Sequence, residues 1–433
     1  MERQSQVIRY GALLMNSYKY SGMVIKDHDF IVPLDHQKQQ GEKITVFVRE
    51  IIKEELENEQ LPYLIYFQGG PGYESPRPIT NSGWIKRASE EYKVLLLDQR
   101  GTGLSSPILE ESLNELSDKE IAQYLTFFRA DSIIKDAEMI REQLIGKSKW
   151  SILGQSFGGF CATHYLSFYP ESLHKVFITG GLPPLNAHPD DIYRATFKKV
   201  LEKNKLFNEL FPKVNVNVQK IANYLRSNRT RLPNGDILSL ERFQQLGLNL
   251  GFSDGMATLN FLFERAFINE KLAYPFLKNI LSLQTFDTNP IFTVLHEACY
   301  AQNFSTNWSA QRVLNEYPEF STSKTDKFLF TGEMLFPWML DQYKALKPFK
   351  GAAQILASKS DWPLLYDENT LKRNKVPIAA AVYINDMYVD KGYSMDLAKI
   401  LPNITVWETS LFEHNGLRSN GKVVIEELFS RID

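Results

Sequence analysis

The chain has 433 residues, and its 49 basic and 51 acidic side chains leave a formal net charge of −2. This balance leaves no broad basic field for nucleic acid, and no stretch reaches the roughly 18 uncharged apolar residues that cross a bilayer. A hydrophobic content of 43% predicts a folded protein with a large core. Only Cys161 and Cys299 are cysteines, and residues 1–6 lead into no apolar signal core, so we expect a reduced, cytoplasmic protein.

Short β-rich runs follow one another along the first part of the chain. Residues 30–34 and 44–48 are predicted as two strands around a turn, which is an antiparallel opening. Four later runs are apolar throughout, as buried strands are: residues 64–67, 94–97, 151–153 and 176–178. A helix over residues 133–144 carries its apolar side chains on one face, with Asp131 or Ser132 placed to cap it. Strands that alternate with helices predict a mostly parallel α/β sheet.

The pattern changes in the middle of the chain and then returns. Polar–apolar helical stretches such as residues 192–206 and 256–267 indicate an inserted helical domain. Strand signals resume at residues 377–384 and 404–407, and a final helix follows at residues 423–429. We therefore predict an α/β core over residues 1–185 and 336–433, interrupted by a helical cap over residues 186–335.

The sharpest motif is the pentapeptide GQSFG at residues 154–158, which follows a predicted strand and precedes an apolar helix. In this context a serine sits on a tight strand-to-helix turn, and the flanking glycines admit the strained backbone. The helix N-terminus then places partial positive charge beside the attacked carbonyl. Ser156 is therefore the predicted nucleophile, with the Phe157 N–H as one donor to the oxyanion.

A serine hydroxyl needs a base to take its proton and an acid to orient that base. Five histidines lie downstream of Ser156, and only His414 follows the last predicted strand, so His414 is the predicted base. Asp386 stands at the carboxyl end of the strand before it and is the leading candidate for the acid. The alternatives for the acid are three nearby carboxylates: Asp361, Asp367 and Asp390.

The second oxyanion donor is expected from a glycine-rich turn. Residues 68–72 (QGGPG) follow the first buried strand, and either Gly69 or Gly70 could bring its backbone close to a substrate.

These segments together resemble the prolyl aminopeptidases, also called proline iminopeptidases, and most closely the longer members of that family. The motifs that carry the resemblance are residues 68–72, 98–105 (DQRGTGLS), 154–159, 180–184 (GGLPP), 331–334 (TGEM), 385–389 (NDMYV) and 414–418 (HNGLR). The resemblance covers most of the chain from about residue 60. It implies the α/β-hydrolase fold with a helical cap, and a serine peptidase that releases an N-terminal residue, preferentially proline. The family's first motif usually begins with His, whereas this chain has Gln68.

The resemblance also implies how the substrate amine is held. It points to Glu297 and Glu333 as the carboxylates for the free ammonium, because an unpaired buried charge is costly. Trp338, Phe336 and Tyr300 are candidates for the walls of a proline pocket. Asp98 and Arg100 are interpreted as bracing the loop after a strand.

The sequence thus predicts a serine aminopeptidase acting on small peptides with a free N-terminus, through Ser156, His414 and Asp386. No metal or organic cofactor is expected, and neither nucleic acid nor membrane is expected as a partner. An esterase or amidase on the same triad is the alternative, because the triad serves any acyl group and the cap selects among them. A catalytically silent binding protein would lack a triad member. Whether the chain forms a homo-oligomer is left open.

Overall fold

A mixed sheet of nine strands forms the centre of the protein. The structure is a computed structural model, and it describes residues 17–113, 115–323 and 327–432. The strands, with a separate pair β8 and β9, are β1 (Ser17–Tyr20), β2 (Met23–Pro33), β3 (Lys43–Lys53), β4 (Tyr63–Phe67), β5 (Lys93–Leu97), β6 (Trp150–Gln155), β7 (Leu173–Thr179), β8 (Phe267–Ile268), β9 (Lys271–Leu272), β10 (Ile378–Tyr383) and β11 (Ile404–Thr409). Their order in the sheet is β1-β2-β3-β5-β4-β6-β7-β10-β11. Strands β1, β2, β3 and β5 pair antiparallel in turn, and every pair from β5 to β11 is parallel. The predicted α/β class and its antiparallel opening are confirmed.

The helices are numbered in chain order. They are α1 (Gly83–Ala88), α2 (Asp118–Leu125), α3 (Ala130–Ile145), α4 (Phe157–Phe168), α5 (Pro189–Leu210), α6 (Val214–Ser227), α7 (Leu240–Gln244), α8 (Gly255–Glu264), α9 (Tyr274–Leu283), α10 (Pro290–Leu295), α11 (Ser309–Leu314), α12 (Met339–Gln342), α13 (Lys350–Ser358), α14 (Glu368–Leu371), α15 (Lys391–Ile400), α16 (Gly416–Ser419) and α17 (Gly421–Phe429). Within the described ranges, none of them is long and apolar enough to cross a bilayer. The expectation about residues 1–6 lies outside the described residues.

Helices cover both faces of the parallel part of the sheet. Alternate residues of a strand point to opposite faces, so Leu64 and Tyr66 of β4 pack with α1 and α17, whereas Ile65 and Phe67 pack with α3 and α4. Because both faces are covered, these strands are apolar along their whole length. This is why their positions could be predicted from apolar runs alone.

Between β7 and β10 the chain is mainly helical. Helices α5 to α14 lie in this stretch, and the small antiparallel pair β8–β9 is its regular β-structure. Helices continue past residue 335 as far as Leu371, so the helical stretch is longer than the predicted cap. The division at residues 185 and 335 stays a prediction.

A buried ionic cluster holds the loop after β5. Arg100 is 1% exposed and donates to the Asp136 carboxylate and to the backbone carbonyls of Pro33 and Leu34. Asp98 is fully buried and accepts hydrogen bonds from the Arg77 side chain. These contacts are structural, as interpreted from the sequence.

Candidate active site

Ser156 lies on the sharp turn between β6 and α4. Its backbone has φ 54° and ψ −123°, a left-handed conformation that is strained for any residue with a side chain. Such strain persists only where the surroundings leave no alternative. Here a Cβ on Gly158 would lie 1.9 Å from the Phe67 carbonyl oxygen, and a Cβ on Gly154 would lie 2.4 Å from the Gly158 oxygen. The turn therefore requires both glycines of the pentapeptide.

Three side chains form a continuous hydrogen-bonded chain at the carboxyl ends of the strands. His414 Nε2 lies 2.9 Å from Ser156 Oγ, and His414 Nδ1 lies 2.6 Å from Asp386 Oδ2. The serine, histidine and aspartate are 7%, 6% and 2% exposed, so bulk water does not compete for these bonds. The structure thus brings together the three residues that the sequence predicted.

Asp386 is oriented by backbone donors from its own loop. Its Oδ1 accepts hydrogen bonds from the N–H groups of Tyr388 at 2.8 Å and Val389 at 3.1 Å, which leaves Oδ2 for the histidine. The alternative acids are engaged elsewhere. Asp367 and Asp390 cap the N-termini of α14 and α15, and Asp361 pairs with Lys359.

The environment of His414 favours its charged form. Burial lowers its pKa, but the charge and hydrogen bond of Asp386 outweigh burial, and the pKa is raised above the ordinary value of 6.5. Glu333 raises this pKa further and Arg418 opposes it. The ring also packs on Tyr388, with the ring centroids 4.5 Å apart. A raised pKa suits a group that accepts a proton from a hydroxyl and then holds it.

The loop that carries His414 is attached to the helical stretch on both sides of the ring. Glu413 Oε2 lies 2.5 Å from Lys203 Nζ of α5, and both side chains are largely buried. On the other side, Asn415 Oδ1 accepts hydrogen bonds from the Ser253 N–H and hydroxyl. The position of the histidine therefore depends on residues between β7 and β10.

The predicted oxyanion donors border Ser156. Phe157 is the first residue of α4, where an N–H has no acceptor within the helix. A Cβ on Gly69 would lie 2.9 Å from the Ser156 Cβ, so that only glycine allows this approach. Gly70 lines the same cavity as Ser156. Gln68, the first residue of this turn, accepts a hydrogen bond from the Tyr66 hydroxyl. The role of Phe157, Gly69 and Gly70 as donors to the oxyanion stays a prediction.

A cavity of about 540 Å³ opens onto Ser156 and His414. Its aromatic lining is formed by Tyr66, Tyr73, Trp84, Phe252, Phe292 and Tyr388, and its charged lining includes Glu74, Asp254, Glu333 and Arg418. Trp338, Phe336 and Tyr300 are not among the lining residues. Phe336 and Trp338 stack on one another, and Tyr300 packs on Phe160. The suggestion that these three form walls of a proline pocket therefore has no support in this arrangement.

The two predicted amine ligands differ in position. Glu333 lines the cavity, with its Oε2 3.5 Å from Nε2 of the buried His296. Glu297 is not a lining residue. Its carboxylate accepts the backbone N–H groups of Ser309 and Ala310 at the start of α11, and burial raises its pKa above 4.5. The predicted ammonium contact of Glu297 thus stays a prediction, while the geometry gives its carboxylate a capping contact.

The remaining downstream histidines have other surroundings. His164 contacts the Leu365 carbonyl oxygen, and burial lowers its pKa to about 4. His188 caps α5, and His174 is exposed. In the described parts of the chain, no group of three or more His, Cys, Asp or Glu side chains is placed to hold a metal ion.

Sequence reasoning did not single out four residues that the structure places at the site: Tyr388, Arg418, Lys203 and Glu413. Tyr388 and Arg418 lie inside the NDMYV and HNGLR segments, so their motifs offered a signal. Lys203 comes from a distant helix, and nothing in its neighbourhood in the sequence indicates an ion pair with Glu413.

Comparison with known proteins gives the family of the chain. A family described as alpha/beta hydrolase fold matches residues 62–239. The chain is 48% identical to a proline iminopeptidase of Aeromonas sobria, over 95% of this chain and 97% of that protein. It is 34% identical to the proline iminopeptidase aneH of Aspergillus aculeatus, over 93% of this chain and 92% of that protein. On this extent of similarity, the chain belongs to the proline iminopeptidase family of α/β-hydrolase-fold enzymes.

Proposed function

We propose that this protein is a serine aminopeptidase that releases the N-terminal residue of short peptides, preferentially proline. The observation that carries the proposal is the 2.9 Å contact between His414 Nε2 and Ser156 Oγ, in a cavity that also contains the Glu333 carboxylate. The relatives named proline iminopeptidase support the choice of substrate. The proposed setting is the cytoplasm, where the two buried cysteines, both free, would stay reduced.

Acylation begins at the carbonyl of the N-terminal residue. Ser156 Oγ attacks this carbon while His414 Nε2 takes the hydroxyl proton, and Asp386 stabilises the imidazolium that results. The negative oxygen of the tetrahedral intermediate accepts hydrogen bonds from Phe157 N–H and from the Gly69 to Gly70 turn, worth about 3 kcal/mol for one donor in comparable sites. The C–N bond then breaks, and His414 gives its proton to the leaving amine.

Deacylation repeats the same steps with water. His414 removes a proton from a water molecule, whose oxygen attacks the ester carbon of the acyl-enzyme. The ester C–O bond breaks, His414 returns the proton to Ser156 Oγ, and the free amino acid leaves. Besides the substrate and water, these proton transfers involve only Ser156 and His414.

Glu333 is proposed to select substrates with a free amine. A carboxylate in the cavity wall stabilises an ammonium group, and it does nothing for a blocked or internal residue. Without this contact the three reacting side chains would serve an esterase or amidase equally well. The charge of Glu333 is thus the feature that favours an aminopeptidase.

The test compares three substrates: a prolyl arylamide with a free amine, its N-blocked form and a short acyl ester. We expect the native protein to cleave the free-amine substrate alone and Ser156→Ala to lose this activity. Cleavage of the ester alone would retain the triad but contradict the aminopeptidase. Activity that persists in Ser156→Ala would contradict the mechanism.

A further inference from the structure

Arg418 is a charged residue of the cavity that the proposed mechanism does not use. It lies on the short helix α16, four residues after His414, and lines the cavity together with Ser156 and Glu333. Its guanidinium lies over the ring of Phe252, 4.7 Å from the ring centroid, and the side chain is otherwise exposed. The aromatic contact holds the guanidinium at the cavity wall and leaves its N–H donors free for a ligand.

No acid of the described chain neutralises this guanidinium. Over residues 17–113, 115–323 and 327–432, no carboxylate oxygen lies within the 4.0 Å limit for an ion pair with Arg418. The other charged lining residues have partners, since Glu74 pairs with Arg77 and Asp254 lies 3.5 Å from the Asn415 side-chain amide. Arg418 is therefore a cation that faces the cavity without a fixed counter-charge.

The cavity thus presents two opposite charges, Glu333 and Arg418, in the same lining as the reacting serine. Glu333 raises the pKa of His414 and Arg418 lowers it, as two opposite charges in the same cavity do. A short peptide also carries two opposite charges, an ammonium at one end and a carboxylate at the other. In a dipeptide the carboxylate lies only about 4 Å along the chain beyond the scissile carbonyl, and each further residue moves it by roughly 3.5 Å.

We propose that Arg418 binds the C-terminal carboxylate of short peptide substrates, so that this enzyme prefers dipeptides with a free C-terminus. The inference rests on the proposed aminopeptidase function, in which Glu333 holds the other end of the same substrate. Guanidinium and carboxylate form two parallel hydrogen bonds, and a planar fork matches this geometry better than a lysine does. The leaving residue is then recognised by its terminal charge, whatever its side chain.

Acids in the cavity limit how strongly Arg418 can favour a substrate with a free C-terminal carboxylate. Asp254 and Glu74 line the same cavity and oppose a second carboxylate, and the Arg418 side chain is partly in water. An exposed pair of this kind contributes about 1 kcal/mol, which corresponds to roughly a fivefold change in kcat/KM. Replacing Asp254 with Asn should therefore increase the preference for a free C-terminus.

The experiment compares Pro-Ala, Pro-Ala-amide and Pro-Ala-Ala-Ala with the native protein and with Arg418→Met, which retains an apolar contact with Phe252. We expect kcat/KM for Pro-Ala to exceed that for the amide about fivefold in the native protein. In Arg418→Met this ratio should fall to about one or below, because Asp254 and Glu74 still oppose the carboxylate. Arg418→Lys should retain part of the preference, and 1 M salt should reduce it in the native protein. The tetrapeptide should behave as the amide does.

Lys422→Met is the matched control, because Lys422 is a nearby exposed cation that does not line the cavity. Lys422→Met should keep the native ratio of kcat/KM for Pro-Ala to kcat/KM for Pro-Ala-amide. Thermal unfolding of each variant shows whether it is folded. Equal acid-to-amide ratios in the native protein and Arg418→Met would overturn the role of Arg418 while leaving the aminopeptidase intact. If the native protein cleaves no prolyl substrate, the proposed function fails and this inference fails with it.

Discussion

The ion pair between Lys203 and Glu413 should have a measurable effect on stability. The side chains are 4% and 20% exposed, and their charged atoms are 2.5 Å apart. Lys203→Met leaves the Glu413 carboxylate without its partner in a largely buried place. Breaking a fully buried pair in this way costs about 3–5 kcal/mol, and because a fifth of Glu413 is exposed we expect about 2 kcal/mol of unfolding free energy. Urea unfolding at pH 8 measures this loss directly.

The pH dependence of the loss identifies its cause. Burial raises the pKa of Glu413, and Lys203 opposes that rise, so the pKa should be higher still in Lys203→Met. A carboxyl whose pKa is raised by folding contributes stability below its ordinary pKa, and this contribution is lost as the pH rises through the folded value. The deficit of Lys203→Met relative to the native protein should therefore be full at pH 8 and shrink toward pH 5.

Two further measurements can refute this reasoning. Lys203→Met/Glu413→Gln removes both charges, so it should recover most of the stability that the single variant loses. Because Glu413 precedes His414, the single variant should also lower kcat with less effect on KM. A Lys203→Met variant as stable as the native protein at pH 8 would contradict a cost of the unpaired Glu413 carboxylate, and so would further destabilisation of the single variant by Glu413→Gln.

Three other predictions concern the turn at the nucleophile, the base and the carboxylate proposed to hold the substrate amine. Gly158→Ala places a Cβ 1.9 Å from the Phe67 carbonyl oxygen, so kcat/KM should fall by about two orders of magnitude or more, measured beside circular dichroism to confirm folding. Because His414 must be neutral to act and its pKa is raised, kcat/KM should fall as the pH drops through a midpoint above 6.5, and a pH profile with a midpoint below 6.5 would contradict this. Glu333→Gln should raise KM for a free-amine prolyl substrate about tenfold or more and leave the N-blocked form as poor as before, which steady-state kinetics would show.

Much of the fold and the reacting centre could be predicted because their signals are local. Strands covered on both faces are apolar throughout, as β4 and β5 are, and the strained turn at Ser156 requires glycines at fixed spacing. The order of strands along the chain then left His414 as the base and Asp386 as the leading acid. These inferences depend on neighbours in sequence or on the topology of the sheet, and the structure places the three side chains in hydrogen-bonding contact.

The residues that could not be predicted depend on contacts between distant segments. Whether Glu297 faces the cavity or caps α11 is decided by where Ser309 and Ala310 lie, and no pattern around Glu297 shows this.

The N-terminal cap of α3 was also predicted incorrectly. The helix begins at Ala130 with Arg129 at its N-cap and no side-chain cap, so the prediction that Asp131 or Ser132 caps it was wrong. Arg129, at the cap position, is buried, and its guanidinium packs on Trp362, 4.6 Å from the ring centroid.

The contact between Ser156 and His414 joins residues 258 positions apart, and this separation determines when the enzyme becomes active during its synthesis. At about 5–20 residues per second, the ribosome adds the histidine roughly 13 to 50 s after the serine. Until then the nascent chain has its nucleophile but no base, and it cannot hydrolyse peptides around it. Strands β10 and β11, which complete the parallel half of the sheet, are also made between the serine and the histidine. Arrival of the histidine and completion of these strands thus fall in the same interval of synthesis.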